Sequence, residues 1–529
     1  LAALPFILFL PFVAWGLGLA IVHAGFVPYS IDYGEGLTLT GAFKMAEGGL
    51  SAGYAYNDAY YHAPVLDYPP LYPLMVAVLY KIGLPLVAGG RALALLSCLA
   101  VGAILALLAR REGAPGWLVR LCIVLPLGTF PFVLWGGVAR VDSLGLALTL
   151  LGFYLATSPR SKVQGPRSKV QSSHVSSVVR RPSSVVPRNF GLWTLDFGLV
   201  TSSICFALAL FTKQSMVAGP AVVVIAGLLV PGQRKRALAL AGMIIVLSLL
   251  FLAGAQWATN GEYWNIITIE RGTPFSVTQA LANYLYFISS FAALLVLACT
   301  GWWRLRKQPA TLRGRAILLY GPLAFLLAAT SGKLGASLYY FMELAVVTIL
   351  LAVIGYIGSM HRSAEASSVT PVRRVWAGLL GFALLVQVAV NIGLAIFSPN
   401  VQLVGLLNEQ ATDNVVERLK AAGTGDVLTD IPGLLLQAGR VEHIYDRFIL
   451  HQLSLAGLRD DSAVVDDLRR QRWKLLVLSF DPFASHPTEA GDESWPREFY
   501  TSVRETYRLV EVYPPVGGGW PHYFVLVPK

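Results

Sequence analysis

Asp32 and Glu35 stand three residues apart in "SIDYGEGLTL", residues 30–39, and are the first charges in the chain. A carboxylate there can serve as general base toward a hydroxyl nucleophile. Farther along, cations interrupt otherwise apolar text: Arg140 in "GGVARVDSLG", Lys213 in "LFTKQSM" and Lys333 in "TSGKLGASLYYFMEL". Asp142 and Glu343 lie close to these cations, Glu270 adjoins a further one at Arg271, and residues 28–90 add Asp58, His62, Asp67 and Tyr68. Lys and Arg recognise phosphate strongly, and cations around a departing phosphate stabilise the charge that develops as its bond breaks. The residue types suit acid–base chemistry beside an anion.

The elements that must position them are membrane spans. The chain of 529 residues is 55% hydrophobic and only 13% charged, with mean hydropathy +0.60. Soluble chains carry roughly 25% charged residues, so this is read as a polytopic membrane protein. The net charge of +11 does not point to nucleic acid, because it is unevenly placed: residues 1–397 carry +16 and residues 398–529 carry −5. Cys98, Cys122, Cys205 and Cys299 all lie in apolar runs and show neither metal-ligand spacing nor a disulfide framework. No cofactor is expected, and no ligand spacing supports a divalent metal.

Twelve apolar stretches approach the roughly 20 residues needed to cross the hydrocarbon core: 1–27, 71–88, 91–109, 117–138, 143–157, 191–211, 215–231, 237–257, 281–303, 316–331, 337–358 and 375–397. The first residue is Leu and no basic n-region precedes the first stretch, so it reads as a span behind a trimmed N-terminus. Basic loops follow at Arg110–Arg111, at 158–190, at "QRKR", at "RLRKQPATLRGR" and at Arg362, Arg373 and Arg374. Two spans separate each consecutive pair, so the positive-inside rule makes all five cytoplasmic together. Stretch 71–88, with three prolines before or within it and Lys81 inside, then reads as a helix lying in the outer interface. Eleven spans remain, with residues 28–90 and 398–529 outside. Loop 158–190 repeats "PRSKVQ" and reads as a disordered insertion.

The tail changes character. "GDVLTD", "WKLLVLSF", "YRLVEVY" and "HYFVLVPK" read as strands, with helical text between them, as in a soluble α/β domain over 398–529. Its "GTGD" lacks the context of a nucleotide-binding loop.

On this topology Lys44, Lys81, Arg91, Arg140, Lys213, Arg271 and Lys333 are outer cations that orientation does not explain. Lys44 and Lys81 read as snorkelling residues. Arg140 with Asp142, and Glu270 with Arg271, also suit simple pairs. The bundle's outer end is expected to hold a polar cavity of both signs. Lipid phosphates are the natural anions at that depth, which suggests group transfer from a lipid phosphate to an acceptor outside the membrane.

Four stretches carry a family likeness: "DYGEG" (32–36), "YPPLYPLMVAVLYKIG" (68–83), "ARVDSLGLAL" (139–148) and "SGKLGASLYYFMEL" (331–344). With the span count and outer tail, the chain resembles the GT-C superfamily of polyprenyl-phosphate-dependent glycosyltransferases, which includes protein O-mannosyltransferases and the lipid A aminoarabinose transferase. The resemblance implies an inverting transfer from a polyprenyl-phosphate sugar, at the outer face of a bacterial-type inner membrane, with a first-loop carboxylate as base. It implies Asp32 or Glu35 as that base. Lys333, Arg140 and Lys213 become phosphate-side candidates, with His62, Asp67, Tyr68, Asp142, Tyr339 and Glu343 as further site candidates. The family pattern has an adjacent Asp-Glu pair, whereas here Tyr33 and Gly34 separate the two acids. Membrane lipids are the other expected partner, and the acceptor is open among lipid, glycan and protein. Two rival readings are a lipid or polysaccharide transporter, whose charges belong near the midplane, and a membrane-anchored scaffold acting through its tail.

Overall fold

The computed structural model describes residues 3–55, 65–158, 197–268, 273–308, 310–365, 371–397, 409–422, 426–458, 460–484, 495–513 and 522–529. His62, Asp58, Glu270, Arg271 and nearly all of loop 158–190 lie outside them. Among the described residues the fold is mostly helical, with one small sheet near the C-terminus.

Helix α1 (Leu10–Phe26) carries Pro11 in its first turn, where a fixed φ and a missing N–H are tolerated. After a short extended link comes α2 (Tyr33–Tyr54), then α3 (Leu71–Lys81) and α4 (Leu86–Arg111). Stretch 71–88 is therefore an 11-residue helix, which rises only about 16 Å. Lys81 closes it and pairs at 3.2 Å with the exposed Glu47.

Stretch 117–138 is not one helix. It divides into α5 (Gly116–Val124), a 3-10 turn at Leu125–Gly128, and α6 (Phe130–Trp135). Pro126 and Pro131 each remove a backbone donor, and each begins a new turn. Helices α7 (Val141–Ala156), α8 (Phe197–Leu210), α9 (Ala218–Leu229) and α10 (Arg234–Ala258) follow.

Stretch 281–303 is also broken. Helices α11 (Val277–Ser290) and α12 (Ala292–Lys307) meet at 85°. The backbone groups freed by the bend find partners on a later helix, α15 (Pro371–Phe397). Gln387 Oε1 accepts from the Ala293 and Leu294 amides, and Asn391 Nδ2 donates to the Ser290 carbonyl at 3.0 Å. Such compensation is what permits a break in apolar surroundings. Between them run α13 (Leu312–Ala328) and α14 (Met342–Glu365).

By length and composition, five helices among the described residues can cross a membrane, or six if the bent pair is one span. Span Leu338–Met360 is buried along the whole of its most apolar window, at the centre of the bundle. Among the other apolar stretches, α9, at 12 residues, rises about 18 Å against a core of about 30 Å, whereas α15 runs for 27 residues.

All four strands expected in the tail are present: β1 (Val427–Thr429), β2 (Leu475–Leu478), β3 (Tyr507–Tyr513) and β4 (Tyr523–Pro528). The order is β1-β2-β4-β3, with β1–β2 parallel and the other pairs antiparallel. Every residue of β2 is buried, as expected of a central strand covered on both faces. Its helices are α16 (Glu409–Ala421), α17 (Pro432–Gln437), α18 (Arg447–Leu455), α19 (Ser462–Arg469) and α20 (Arg497–Thr506). One face packs around Trp473, Phe499 and Tyr507; the other shares a core with Tyr29, Leu37 and Val65 of the first loop. Tyr29 donates to Asp413, and Tyr33 donates to Asp446 at 2.9 Å. The tail and the first loop therefore build one surface together.

Candidate active site

The spacing of Asp32 and Glu35 is first of all a helix start. Asp32 is the N-cap of α2, its Oδ2 accepting from the Glu35 amide at 3.0 Å. Glu35 reaches back to the Ile31 amide at 2.8 Å, one residue before the cap. This is the reciprocal logic of a capping box, in which the cap residue and the residue three positions later satisfy donors that the helix cannot.

The two carboxylates then part ways. Glu35 is fully buried, and both its oxygens are held by Arg91 Nε and Nη2 at 2.8 Å. The Ala139 amide adds a further bond to Oε1. Burial works to raise the pKa of Glu35; the Arg91 charge, its hydrogen bonds and the Ala139 and Ile31 amides outweigh it and hold the carboxyl below the ordinary glutamate value. Arg91 spends its other donors on the carbonyls of His23, Val27 and Tyr29, at and just beyond the C-terminal end of α1. Arg91, a charge in apolar text, is thus a clamp joining α1, α2 and α4.

Asp32 faces a different neighbourhood. Arg140, the N-cap residue of α7, donates to its Oδ2 at 2.6 Å and to the Tyr68 hydroxyl at 3.2 Å. Among the described residues nothing donates to Asp32 Oδ1. Asp32 lines a cavity of about 330 Å³ whose wall includes Asp67, Tyr68, Arg140, Lys333 and Tyr339. The volume falls within the usual range for small-molecule sites.

Lys333 enters this wall from a loop that Gln279 of α11 holds by donating to the carbonyls of Ser331, Lys333 and Ala336. Arg140 packs with Cζ 4.4 Å from the Tyr339 ring centroid and 5.3 Å from that of Trp135, stacking that suits a guanidinium.

Lys213, Asp142 and Glu343 are outside the cavity lining. Lys213 is buried, pairs with Asp142, and lies over the rings of Tyr339 and Tyr340. Asp142 in turn sits 3.6 Å from Arg140 Nε, so Lys213 bears on the cavity through Asp142 and Arg140. Glu343 accepts from the Tyr320 hydroxyl at 2.6 Å inside the bundle, which is a helix-to-helix bond. Among the described residues no three His, Cys, Asp or Glu side chains gather as a metal-ligand set.

The far wall comes from the tail, and sequence reasoning did not find it: Asp430, Asp446, Arg447, Ser479 and Trp495 line the same space. Asp446 caps α18, accepting from the Ile449 amide at 2.9 Å as well as from Tyr33. Asp430 accepts from the amide of Ser479 and from its hydroxyl. Burial raises its pKa above the ordinary aspartate value, with the Arg447 charge and the Ser479 bonds opposing. Asp446 directly before "RFILHQL" is a local N-cap signal in the sequence.

The comparison with solved structures decides the architecture. ArnT from Cupriavidus metallidurans superimposes over 98% of this chain and 97% of its own, with TM-scores of 0.52 in the apo state and 0.51 bound to undecaprenyl phosphate. The chain has the GT-C fold. Identity to these two structures is 15% and 14%, so the GT-C likeness is one of architecture. The mycobacterial arabinofuranosyltransferase AftD is a more distant neighbour, at TM-score 0.44 over 41% of its length and 15% identity. No protein-family profile and no curated protein sequence matches the chain. The GT-C fold and the apolar helices together make it a multi-pass membrane protein.

Proposed function

We propose that this chain is a membrane glycosyltransferase that moves a sugar from a polyprenyl-phosphate donor to an acceptor hydroxyl, with inversion at the anomeric carbon. One observation carries the reading: Asp32 keeps a carboxylate oxygen without a described donor, in the same cavity as Arg140 and Lys333. The ArnT fold, solved with undecaprenyl phosphate bound, supports the donor class.

Asp32 Oδ1 takes the proton of the acceptor hydroxyl. The acceptor oxygen attacks the anomeric carbon from the face opposite the phosphate. The bond from that carbon to the phosphate oxygen breaks, and polyprenyl phosphate leaves. Arg140 and Lys333 stabilise its developing charge, and Arg140 also fixes the rotamer of Asp32. Lys213 and Asp142 are positioning residues, because they act through Arg140. Glu35 is a structural anchor in this mechanism, so the base is Asp32.

The orientation belongs to the same reading. If the chain crosses eleven times, as its apolar stretches suggest, the positive-inside rule puts the five basic loops in the cytoplasm and the cavity and residues 398–529 at the outer face of a bacterial-type inner membrane. The test is transfer in proteoliposomes, with purified polyprenyl-phosphate sugars and lipid, glycan and peptide acceptors. A glycosylated product whose anomeric configuration is inverted supports the reading. Movement of the lipid across the bilayer without any transfer supports a transporter instead.

A further inference from the structure

Arg447 is a buried cation with unspent donors. It is 8% exposed, and its Cζ lies 4.7 Å from the Tyr33 ring centroid and 5.3 Å from that of Trp495. Among the described residues its guanidinium makes no hydrogen bond and no ion pair, and Nε is buried without a partner. A guanidinium carries five N–H donors in a fixed fork, and leaving the buried Nε–H unused costs free energy. The same residue lines the cavity that holds Asp32.

What those donors can take is set by their neighbours. Asp430 stands on the same wall, each oxygen accepting one bond from Ser479, and a carboxylate oxygen has lone pairs for more than one. Asp446 adds a second negative charge. Among the described lining residues the carboxylates of Asp32, Asp67, Asp430 and Asp446 outnumber the cations Arg140, Lys333 and Arg447. Two of those acids flank Arg447 in the tail, so this wall disfavours an anion, while Arg140 and Lys333 on the opposite side favour one. A forked donor beside a carboxylate suits hydroxyl groups, because each hydroxyl can accept from the first and donate to the second.

We infer that Arg447 and Asp430 form a subsite that reads the vicinal hydroxyls of an uncharged sugar residue, carried by the acceptor or by the donor. This rests on the proposed transferase reading for its role, but binding itself does not require turnover. The tail thereby acquires a task that its strands and helices do not announce: it supplies the sugar-reading side of a cavity whose phosphate side comes from the bundle.

The experiment is saturation-transfer NMR on the full chain in detergent. The probes are methyl glucopyranoside and methyl mannopyranoside against glycerol 3-phosphate and methyl glucuronate. The neutral glycosides bind, and Arg447→Gln weakens them by about tenfold or more, the loss expected when a charged hydrogen-bonding group is removed. Arg447→Lys keeps a cation over the two rings but not the fork, so it also binds more weakly while its thermal midpoint stays near that of the unmodified chain. Equal binding by Arg447→Gln, binding of the anionic probes alone, or no binding of any probe overturns the inference. Glycoside binding through Arg447 in a chain that transfers no sugar supports the subsite and counts against the transferase reading alone. In proteoliposomes, a raised KM for the acceptor assigns the sugar to the acceptor, and a raised KM for the donor assigns it to the donor. An unchanged KM for both overturns the subsite.

Discussion

Arg140 reaches Asp32 by crossing Gly34: Nη1 lies 2.6 Å from Asp32 Oδ2, and a β-carbon on Gly34 would stand 2.6 Å from that same nitrogen and 3.2 Å from the same carboxylate oxygen. The glycine separating the two acids of "DYGEG" is therefore the opening through which the bundle's arginine meets the first loop's carboxylate. Because Arg140 is held by Asp32, Tyr68 and two aromatic rings, it has little room to yield.

Gly34→Ala is expected to separate stability from activity. Gly34 lies in the first turn of α2, where alanine favours the helix by up to about 1 kcal/mol. The new methyl displaces Arg140 from Asp32, so transfer falls by about 10- to 100-fold, the scale of a catalytic group misplaced by an ångström. Thermal unfolding and transfer rate measured on the same preparation check this. A loss of both together contradicts it.

The Lys213–Asp142 pair predicts strong coupling. Both side chains are about 4% exposed or less. Lys213→Met alone leaves a buried carboxylate with only Arg140 nearby and costs about 3–5 kcal/mol. Adding Asp142→Leu recovers much of that stability, because no uncompensated charge remains. The double variant still loses transfer, since Arg140 loses its second neighbour. A double-mutant cycle on thermal midpoints, run with transfer assays, measures both effects.

Glu35 and Arg91 predict a pH-dependent contribution to stability. The folded pKa of Glu35 is depressed, so its stabilisation is fully present above the unfolded value near 4.5 and fades as pH falls through the lower folded value. Glu35→Gln strands a buried guanidinium and destabilises the chain by about 3–5 kcal/mol at neutral pH. The gap between the two melting curves narrows below pH 4.5 as Glu35 protonates. A gap independent of pH contradicts the assignment.

The docking of the tail on the bundle offers another test. Gly335 has φ +79°, and a β-carbon there would lie 2.8 Å from the Phe448 ring. Gly335→Ala pays about 1–2 kcal/mol for its backbone alone, and the methyl also pushes Phe448 away. Limited proteolysis between the bundle and the tail is expected to quicken, and Phe448→Ala in the same background relieves part of the effect.

The sequence showed some of this directly and hid the rest for physical reasons. Arg140, Lys333 and Asp32 could be placed together because charges in apolar text are costly and the basic loops fix which ends share a side. The four tail strands were legible from their apolar β-rich runs. Glu35 was taken as a chemical partner of Asp32 although D-x-x-E is also a capping signal, and only the fold brings Arg91 within reach of it. Stretch 117–138 reads as one span although it holds Pro126 and Pro131, whereas the bend at Phe291 depends on Gln387 and Asn391, nearly a hundred residues later. Arg447 reads as an ordinary surface arginine until Tyr33, more than four hundred positions away, packs beneath it.

The central claim is that Asp32 takes the acceptor proton, and the direct measurement is single-turnover transfer from a polyprenyl-phosphate sugar in proteoliposomes by Asp32→Asn. The substitution is nearly isosteric and keeps an oxygen for the α2 cap. A fall of about 10²- to 10⁴-fold in the transfer step, the usual worth of a general base, with donor binding retained, is the predicted result. Full transfer by Asp32→Asn would contradict it.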